Sequence, residues 1–227
     1  MKKRIIISLG GSIIIPKTGF DPAFLKKLRK LILAEVKKGK KFILIVGGGN
    51  TARNYQDVLR STGKPTNADL DWMGIGATKI NAEFVRLLFA DISYKEVLHN
   101  PTIKVKTTKA VIVASGWKPG WSTDMDAVLF AKTYGASDVI NLSNIEYVFD
   151  KDPAKYKSAK RIEQIEWSDF RKIVGNSWDP GANLPFDPIA SKEASQLGLR
   201  VSILRGTDLK EVKNAIEGET FRGTIIY

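Results

Sequence analysis

Short apolar runs alternate along this chain with segments in which apolar residues return every three or four positions. The runs at 4–9, Phe42–Val46 and 110–114 are nearly continuous, as expected of strands buried on both faces. Between the first two, Phe24, Leu25, Leu28, Leu31, Ile32 and Val36 recur at helical spacing. Asp21 stands where a cap is needed, Pro22 fits the first helical position and Gly39 ends the segment. The same spacing predicts helices over 51–59, 71–89, 123–134, 168–174, 188–197 and 209–216, with further strands at 139–142, 201–204 and 224–226. Residues 61–67 are polar and turn-rich and read as a mobile loop. The segment 176–187, with its prolines and glycine, reads as a long functional loop. Strands alternating with helices predict an α/β fold, a mainly parallel sheet covered on both faces. No repeat or linker interrupts the pattern, so 1–227 is expected to form a single domain. The region near Ser115 would divide an N-terminal lobe, 1–115, from a C-terminal lobe, 116–227.

Composition adds bounds. The chain has 227 residues, 43% hydrophobic and 26% charged, the balance of a soluble globular protein. No apolar stretch approaches the ~18–20 residues that cross a bilayer. The basic start Met1-Lys2-Lys3-Arg4 precedes too short an apolar run, broken at Gly10-Gly11, to read as a signal peptide. There is no cysteine, hence no disulfide framework and no thiolate metal site, and the expected location is cytoplasmic. The net charge is +12, with lysines grouped at 26–27, 37–38, 40–41 and 155–161. Three readings fit that charge: a solvated surface, steering of an anionic substrate, or nucleic-acid binding. The last lacks a recognition motif and a concentrated basic segment, so nucleic acid is not an expected partner.

The candidate chemistry lies in three glycine-bearing turns, each directly after an apolar run: Gly10-Gly11-Ser12, Gly47-Gly48-Gly49, and Gly-Trp-Lys-Pro-Gly-Trp-Ser at 116–122. Glycine lets backbone amides approach a ligand closely, and a helix starting just beyond adds unsatisfied N–H groups that favour phosphate. In a parallel sheet such turns gather beyond the carboxyl ends of the strands. Neither a Walker P-loop nor G-x-G-x-x-G is present. Several residues keep two readings. Arg53 is a phosphate ligand or a surface ion-pair residue. Asp71 accepts from ribose hydroxyls or caps a helix. Asp124 orients polar groups and the Mg²⁺ environment, or is an ordinary first-turn acid. Trp117 and Trp121 touch a ligand or only shield the loop. Lys118 adds charge at the site or points to solvent. His99, the sole histidine, reads as structural or surface.

Taken in order, Ser8-Leu9-Gly10-Gly11-Ser12, Gly47-Gly48-Gly49 with Arg53, Asp71 with Gly74-Ile75-Gly76-Ala77-Thr78, and 116–124 form a composite series. Asn141-Leu142-Ser143-Asn144, Asp150-Lys151-Asp152-Pro153 and Pro185-Phe186-Asp187-Pro188 continue it. Over nearly the whole chain this series resembles the amino-acid kinase superfamily and, within it, uridylate (UMP) kinases of archaeal type. The resemblance implies a three-layer α/β/α sandwich and ATP-dependent phosphorylation of UMP to UDP in pyrimidine nucleotide biosynthesis. It also implies Mg²⁺ accompanying ATP, no resident metal site, and a homohexamer. UMP would be contacted by Gly48, Asp71, Trp117, Lys118, Pro119, Gly120, Trp121, Ser122 and Thr123. ATP would be contacted by Ser8, Leu9, Gly10, Gly11, Ser12, Gly49, Arg53, Ser143, Phe149 and Asp152. Arg53, Lys118 and Asp124 would be the catalytic residues.

Two positions depart from the superfamily pattern. Ser8 stands where many members carry a lysine that stabilises the transferring phosphoryl group, which leaves Arg53, Lys118 and Mg²⁺ as sources of positive charge. Glu146 and Phe149 replace a common aspartate and tyrosine; Phe149 keeps a ring for adenine but no hydroxyl. The competing functions are another kinase of this fold, acting on acetylglutamate or isopentenyl phosphate, and a non-catalytic nucleotide or oxyanion binder.

Overall fold

A computed structural model describes residues 3–178 and 184–227. Its main sheet has seven strands in the order β3-β2-β1-β4-β8-β9-β7. These are β1 (Ile5–Leu9), β2 (Phe42–Val46), β3 (Val111–Ala114), β4 (Asp138–Ser143), β7 (Gln164–Ile165), β8 (Arg200–Arg205) and β9 (Thr224–Ile226). Only the β8·β9 pair is antiparallel; the other neighbours run parallel. Two further short strands, β5 (Val148–Phe149) and β6 (Arg161–Ile162), pair as a separate hairpin.

Side-chain alternation divides the core into two layers. Ile6, Ile43, Ile45, Ile112 and Ala114 face one cluster, which also holds Phe130 and Ala131 of α5 (Thr123–Tyr134), Phe170 of α6 (Trp167–Val174) and Ala190 of α7 (Pro188–Gln196). Ile7, Leu9, Phe42, Leu44 and Val46 face the other, with Leu28 of α2 (Pro22–Lys37), Val85 of α4 (Asn67–Leu88) and Val212 of α8 (Leu209–Glu217). The mainly parallel sheet flanked by helices is therefore the architecture expected from the alternation.

The helix boundaries follow their caps. Asp21 accepts from the Phe24 amide at 3.0 Å and Pro22 opens α2. The segment read as a loop over 61–67 is shorter, because α3 (Gly49–Thr62) runs past Leu59 and α4 begins at Asn67. A reciprocal Thr66–Asp69 capping box satisfies the first amides of α4, a stop-and-start signal hidden among polar residues. Also unforeseen are the one-turn helix α1 (Gly11–Ile14) and the two-residue strands β5, β6 and β7. The expected loop over 176–187 falls in part on 179–183, outside the described residues. Among the described residues, no helix is long and apolar enough to cross a membrane.

β1 lies between β2 and β4, and the strand order reverses there: β2 and β3 extend to one side, β4 and β8 to the other. Such a switch opens a crevice beyond the strand ends. The first two glycine turns, the loop after β3 and the end of β4 all emerge at that edge.

Candidate active site

The first two glycine turns are interlocked. Gly10 donates to the Leu142 carbonyl and Gly47 to the Leu9 carbonyl, both at 3.0 Å. A Cβ on Gly11 would lie 2.1 Å from the Gly49 nitrogen and 2.5 Å from the Gly47 oxygen. Gly49 has φ +58°, a conformation that strongly favours glycine. From α4, Asn81 (0% exposed) donates its side-chain amide to the carbonyls of Gly47 and Gly48, at 2.9 and 3.0 Å. Backbone bonds to β1 and β4 and a side-chain brace from α4 thus hold these turns in place. Arg53, one turn into α3, donates to Ser12 Oγ at 2.9 Å, joining α3 to the first glycine turn.

Beside these turns opens a cleft of about 220 Å³. Its walls include Gly48, Gly49 and Arg53 of the α3 start, and Asp71, Gly74, Ile75 and Thr78 of α4. The loop after β3 contributes Gly116, Trp117, Lys118, Trp121 and Ser122, followed by Thr123, Asp124 and Asp126 of α5. Trp178, Leu184 and Asp187 complete it. Thr78 Oγ1 accepts from the Gly116 amide at 2.9 Å, fixing the start of the loop. Asp71 lies in the second turn of α4 and is not its cap. One carboxylate oxygen accepts from the Gly120 amide at 2.8 Å, and the Trp178 indole N–H reaches both oxygens at 3.3 Å.

At the β1/β4 switch, Ser8 and Asn141 are register partners. Ser8 Oγ donates to Asp124 Oδ1 at 3.0 Å and Asn141 Nδ2 donates to the same oxygen at 3.2 Å. The Asp187 amide reaches Asp124 Oδ2 at 3.3 Å. Asp187 accepts from Ser122 N through one oxygen, and from Ile189 N and Ala190 N through the other. It therefore caps α7 and ties that helix to the start of α5.

The composition of this cleft, glycine amides, an arginine fork and the starts of α3 and α5, suits phosphate. The model of the amino acid kinase family matches residues 3–205. The chain belongs to the amino acid kinase family. The uridylate kinase of Methanobrevibacter smithii is 32% identical, over 95% of this chain and 96% of its own length. That of Thermoplasma volcanium is also 32% identical, covering 96% and 95%. Among solved structures, the uridylate kinase of Archaeoglobus fulgidus superposes with a TM-score of 0.81 at 27% identity, over 99% of this chain and all of that one. The UMP kinase of Bacillus anthracis, at 22% identity and a TM-score of 0.75, shares the fold.

In this amino acid kinase chain, the expected acceptor residues Gly48, Asp71, Trp117, Lys118, Trp121, Ser122 and Thr123 share one cleft with Arg53 and Asp124. Pro119 and Gly120 complete the same loop. Ser8 and Ser12 connect to the cleft through Asp124 and Arg53. Leu9 is buried in the core and its carbonyl is engaged by Gly47, so its side chain presents nothing to a ligand. Ser143 ends β4 next to the first glycine turn. Phe149 lies in the β5–β6 hairpin, and exposed Asp152 accepts from the Ala154 amide at 2.9 Å. None of these last three lines the cleft. His99 is exposed, its Nδ1 2.7 Å from Ser115 Oγ.

The residues that sequence reasoning left unassigned are Gln56, Asn81, Asp126, Asn141, Trp178 and Asp187. For Asp187 a signal existed: an aspartate directly before Pro188 at a helix start is a cap signature. Asp126 gave a weaker one, an acid two residues after Asp124 on a helix that otherwise turns Met125, Ala127 and Val128 inward.

Burial pushes the Asp124 carboxyl up to about 7, the Asp187 charge adding to the effect. Burial likewise pushes Asp126 up to about 7, against the lowering effect of hydrogen bonds from Trp121 and the Trp117 backbone. Between the ordinary carboxylate range and pH 7 the folded chain therefore holds protons that the unfolded chain has released. Stability contributed by these groups is full at low pH and falls as pH rises through that window. We expect Asp126→Asn to lessen this fall. Between pH 5 and 8 the variant should gain on the wild type by on the order of 1 kcal/mol or more. Denaturant unfolding at both pH values checks this; a constant offset between the two proteins would contradict it.

Proposed function

We propose that this chain is an ATP:UMP phosphotransferase, a uridylate kinase. What carries the reading is the meeting of the second glycine turn, Arg53 and the loop 116–123 around one cleft, in a chain that matches uridylate kinases along almost its whole length. In this reading residues 1–115 form the acceptor lobe and 116–227 the ATP lobe. An oxygen of the UMP phosphate attacks the γ-phosphorus of ATP; a new P–O bond forms, the bond to the β,γ-bridging oxygen breaks, and ADP leaves. The acceptor is already an oxyanion, so no side-chain base is required, and catalysis rests on placement and charge neutralisation.

Gly48 and Gly49 at the start of α3 offer amides to phosphate oxygens, and Arg53 supplies a planar cation beside them. Thr123, the first residue of α5, lines the same cleft. Ser8, lacking the positive charge of a lysine, instead orients Asp124. Among the described residues no cluster of three or more His, Asp or Glu side chains is arranged to hold a metal. Mg²⁺ arriving with ATP still fits the donor set, because Asp124 is a half-buried carboxylate at the cleft whose hydrogen-bond donors are all neutral. Magnesium sites of this kind use one or two carboxylates plus substrate phosphates; Asp124 would hold the ion, which supplies charge neutralisation. A homohexamer remains part of the proposal, in keeping with exposed Trp72, Ile80 and Leu87 along α4.

Release of ADP from Mg²⁺-ATP that depends on added UMP, with UDP as co-product, tests the reading. Binding of UMP without ADP formation would favour the non-catalytic alternative. The lobe assignment has its own check. Asp71→Asn should raise the UMP KM by about fivefold or more, as expected for a weakened charged hydrogen bond, with little change for ATP. An ATP-selective defect would reverse the lobes.

A further inference from the structure

Asp126 has no role in the reading above, yet it lines the cleft at 1% exposure. Its neighbours on α5, Met125, Ala127, Val128, Phe130 and Ala131, are buried and apolar. A carboxylate in that row, close to Asp124 and Asp187, opposes stability unless it serves a particular partner. Its side-chain partner is Trp121, whose indole N–H donates to Asp126 Oδ1 at 3.2 Å. Trp121 in turn leans towards Trp117, ring centroids 6.0 Å apart at 53°. The Lys118 ammonium lies over both rings, 4.5 Å from the Trp117 centroid and 4.9 Å from that of Trp121. Two indoles around one ammonium form a cation–π unit. Hydrogen bonds to Asp126 from the Trp121 indole and from the Trp117 backbone join this unit to the rigid helix.

We propose that Asp126 is a positioning residue of the acceptor site, holding the Trp121 indole so that the Trp117–Lys118–Trp121 unit forms the wall against which the acceptor nucleotide is seated. The inference rests on the reading of this cleft as the UMP site. An aromatic wall suits a planar base, and a lysine held by that wall brings three N–H donors and a positive charge to a nucleotide. Asp126 touches no substrate; it acts through Trp121.

The test compares Asp126→Val, Asp126→Asn, Trp121→Phe and the Asp126→Val/Trp121→Phe double variant, each first shown to be folded by circular dichroism. UMP and ATP KM values are measured separately. Asp126→Val should raise the UMP KM about fivefold or more, since at least one hydrogen bond to the wall is lost, leaving the ATP KM within about twofold. Asp126→Asn keeps an oxygen for the indole and should recover most of the loss. Trp121→Phe keeps a ring but lacks the N–H, so in the double variant the two effects should fall short of multiplying. Equal changes in both KM values, an Asn variant as poor as Val, or fully multiplicative effects would overturn the inference. If Asp126→Val does not fold, Trp121→Phe carries the test, and an unchanged UMP KM there overturns it. A wild type that neither binds nor phosphorylates UMP overturns the functional reading and this inference together. Wild-type turnover with unaltered variants overturns the inference alone.

Discussion

Gly11→Ala is expected to reduce phosphoryl transfer at least about a hundredfold and to lower the melting temperature by several degrees, effects of the size that overpacking produces. The added methyl would meet the Gly49 nitrogen at 2.1 Å and the Gly47 carbonyl carbon at 2.6 Å. These are backbone atoms, unable to rotate away as a side chain would. The clash is mutual, since a Cβ on Gly49 would approach the Gly11 carbonyl carbon and oxygen at 2.4 Å. The turns can separate only by disturbing their bonds to Leu9 and Leu142, or the brace from Asn81. That displacement moves the α3 start and Arg53 away from any phosphate they hold, and a shift near 1 Å is enough to cost about a hundredfold in rate. Gly63→Ala is the matched control: φ there is −156° and the nearest atom to an added methyl lies 3.7 Å away. Wild-type activity and melting in Gly11→Ala would show that the interlock has no role.

Arg53→Ala is expected to lower kcat/KM by at least about tenfold, since a charge-assisted contact to phosphate is worth ~1.5–3 kcal/mol. The fold should survive, because Arg53 is half-buried and its bond to Ser12 joins two elements already held by backbone bonds. Arg53→Lys should recover only part of the loss, because an ammonium cannot reproduce a planar fork. Steady-state kinetics on folded variants decides it, and wild-type values in Arg53→Ala would remove Arg53 from the reaction.

These two predictions use features that differ in how readily they could be read from the sequence. The glycine turns were legible because each interrupts a continuous apolar run, and the strand order then brings their ends to one edge. Their interlock was not legible, since no local pattern states that residues 11 and 49 meet backbone to backbone. The core strands β1, β2 and β3 were clear for the same reason as the turns. The two-residue strands β5, β6 and β7 are too short for any period to register, and α1 is a single turn.

Asp71 shows how a boundary changes a role. With a helix assumed to start there, capping was a natural alternative; the Thr66–Asp69 box removes it by starting α4 four residues earlier. Asp126 and Trp178 were hidden for different reasons. An acid in the first turn of α5 is favoured by the helix dipole, which masks the weak signal of its place between inward-turned Met125 and Ala127. Trp178 reaches Asp71 across 107 positions, a contact created by the fold alone. Asp187 combines the two cases, its capping role being local and its bond to Ser122 N tertiary.

The cleft between α3, α4 and the loop 116–123 is expected to seat a pyrimidine nucleoside monophosphate for phosphorylation by ATP. The most direct measurement is coupled ADP release with Mg²⁺-ATP and a panel of UMP, CMP, AMP, acetylglutamate and isopentenyl phosphate, each over a full concentration range. The highest kcat/KM is expected with UMP, and none measurable with acetylglutamate or isopentenyl phosphate. Turnover of either of those acceptors above UMP, or UMP binding with no ADP formed, would contradict it.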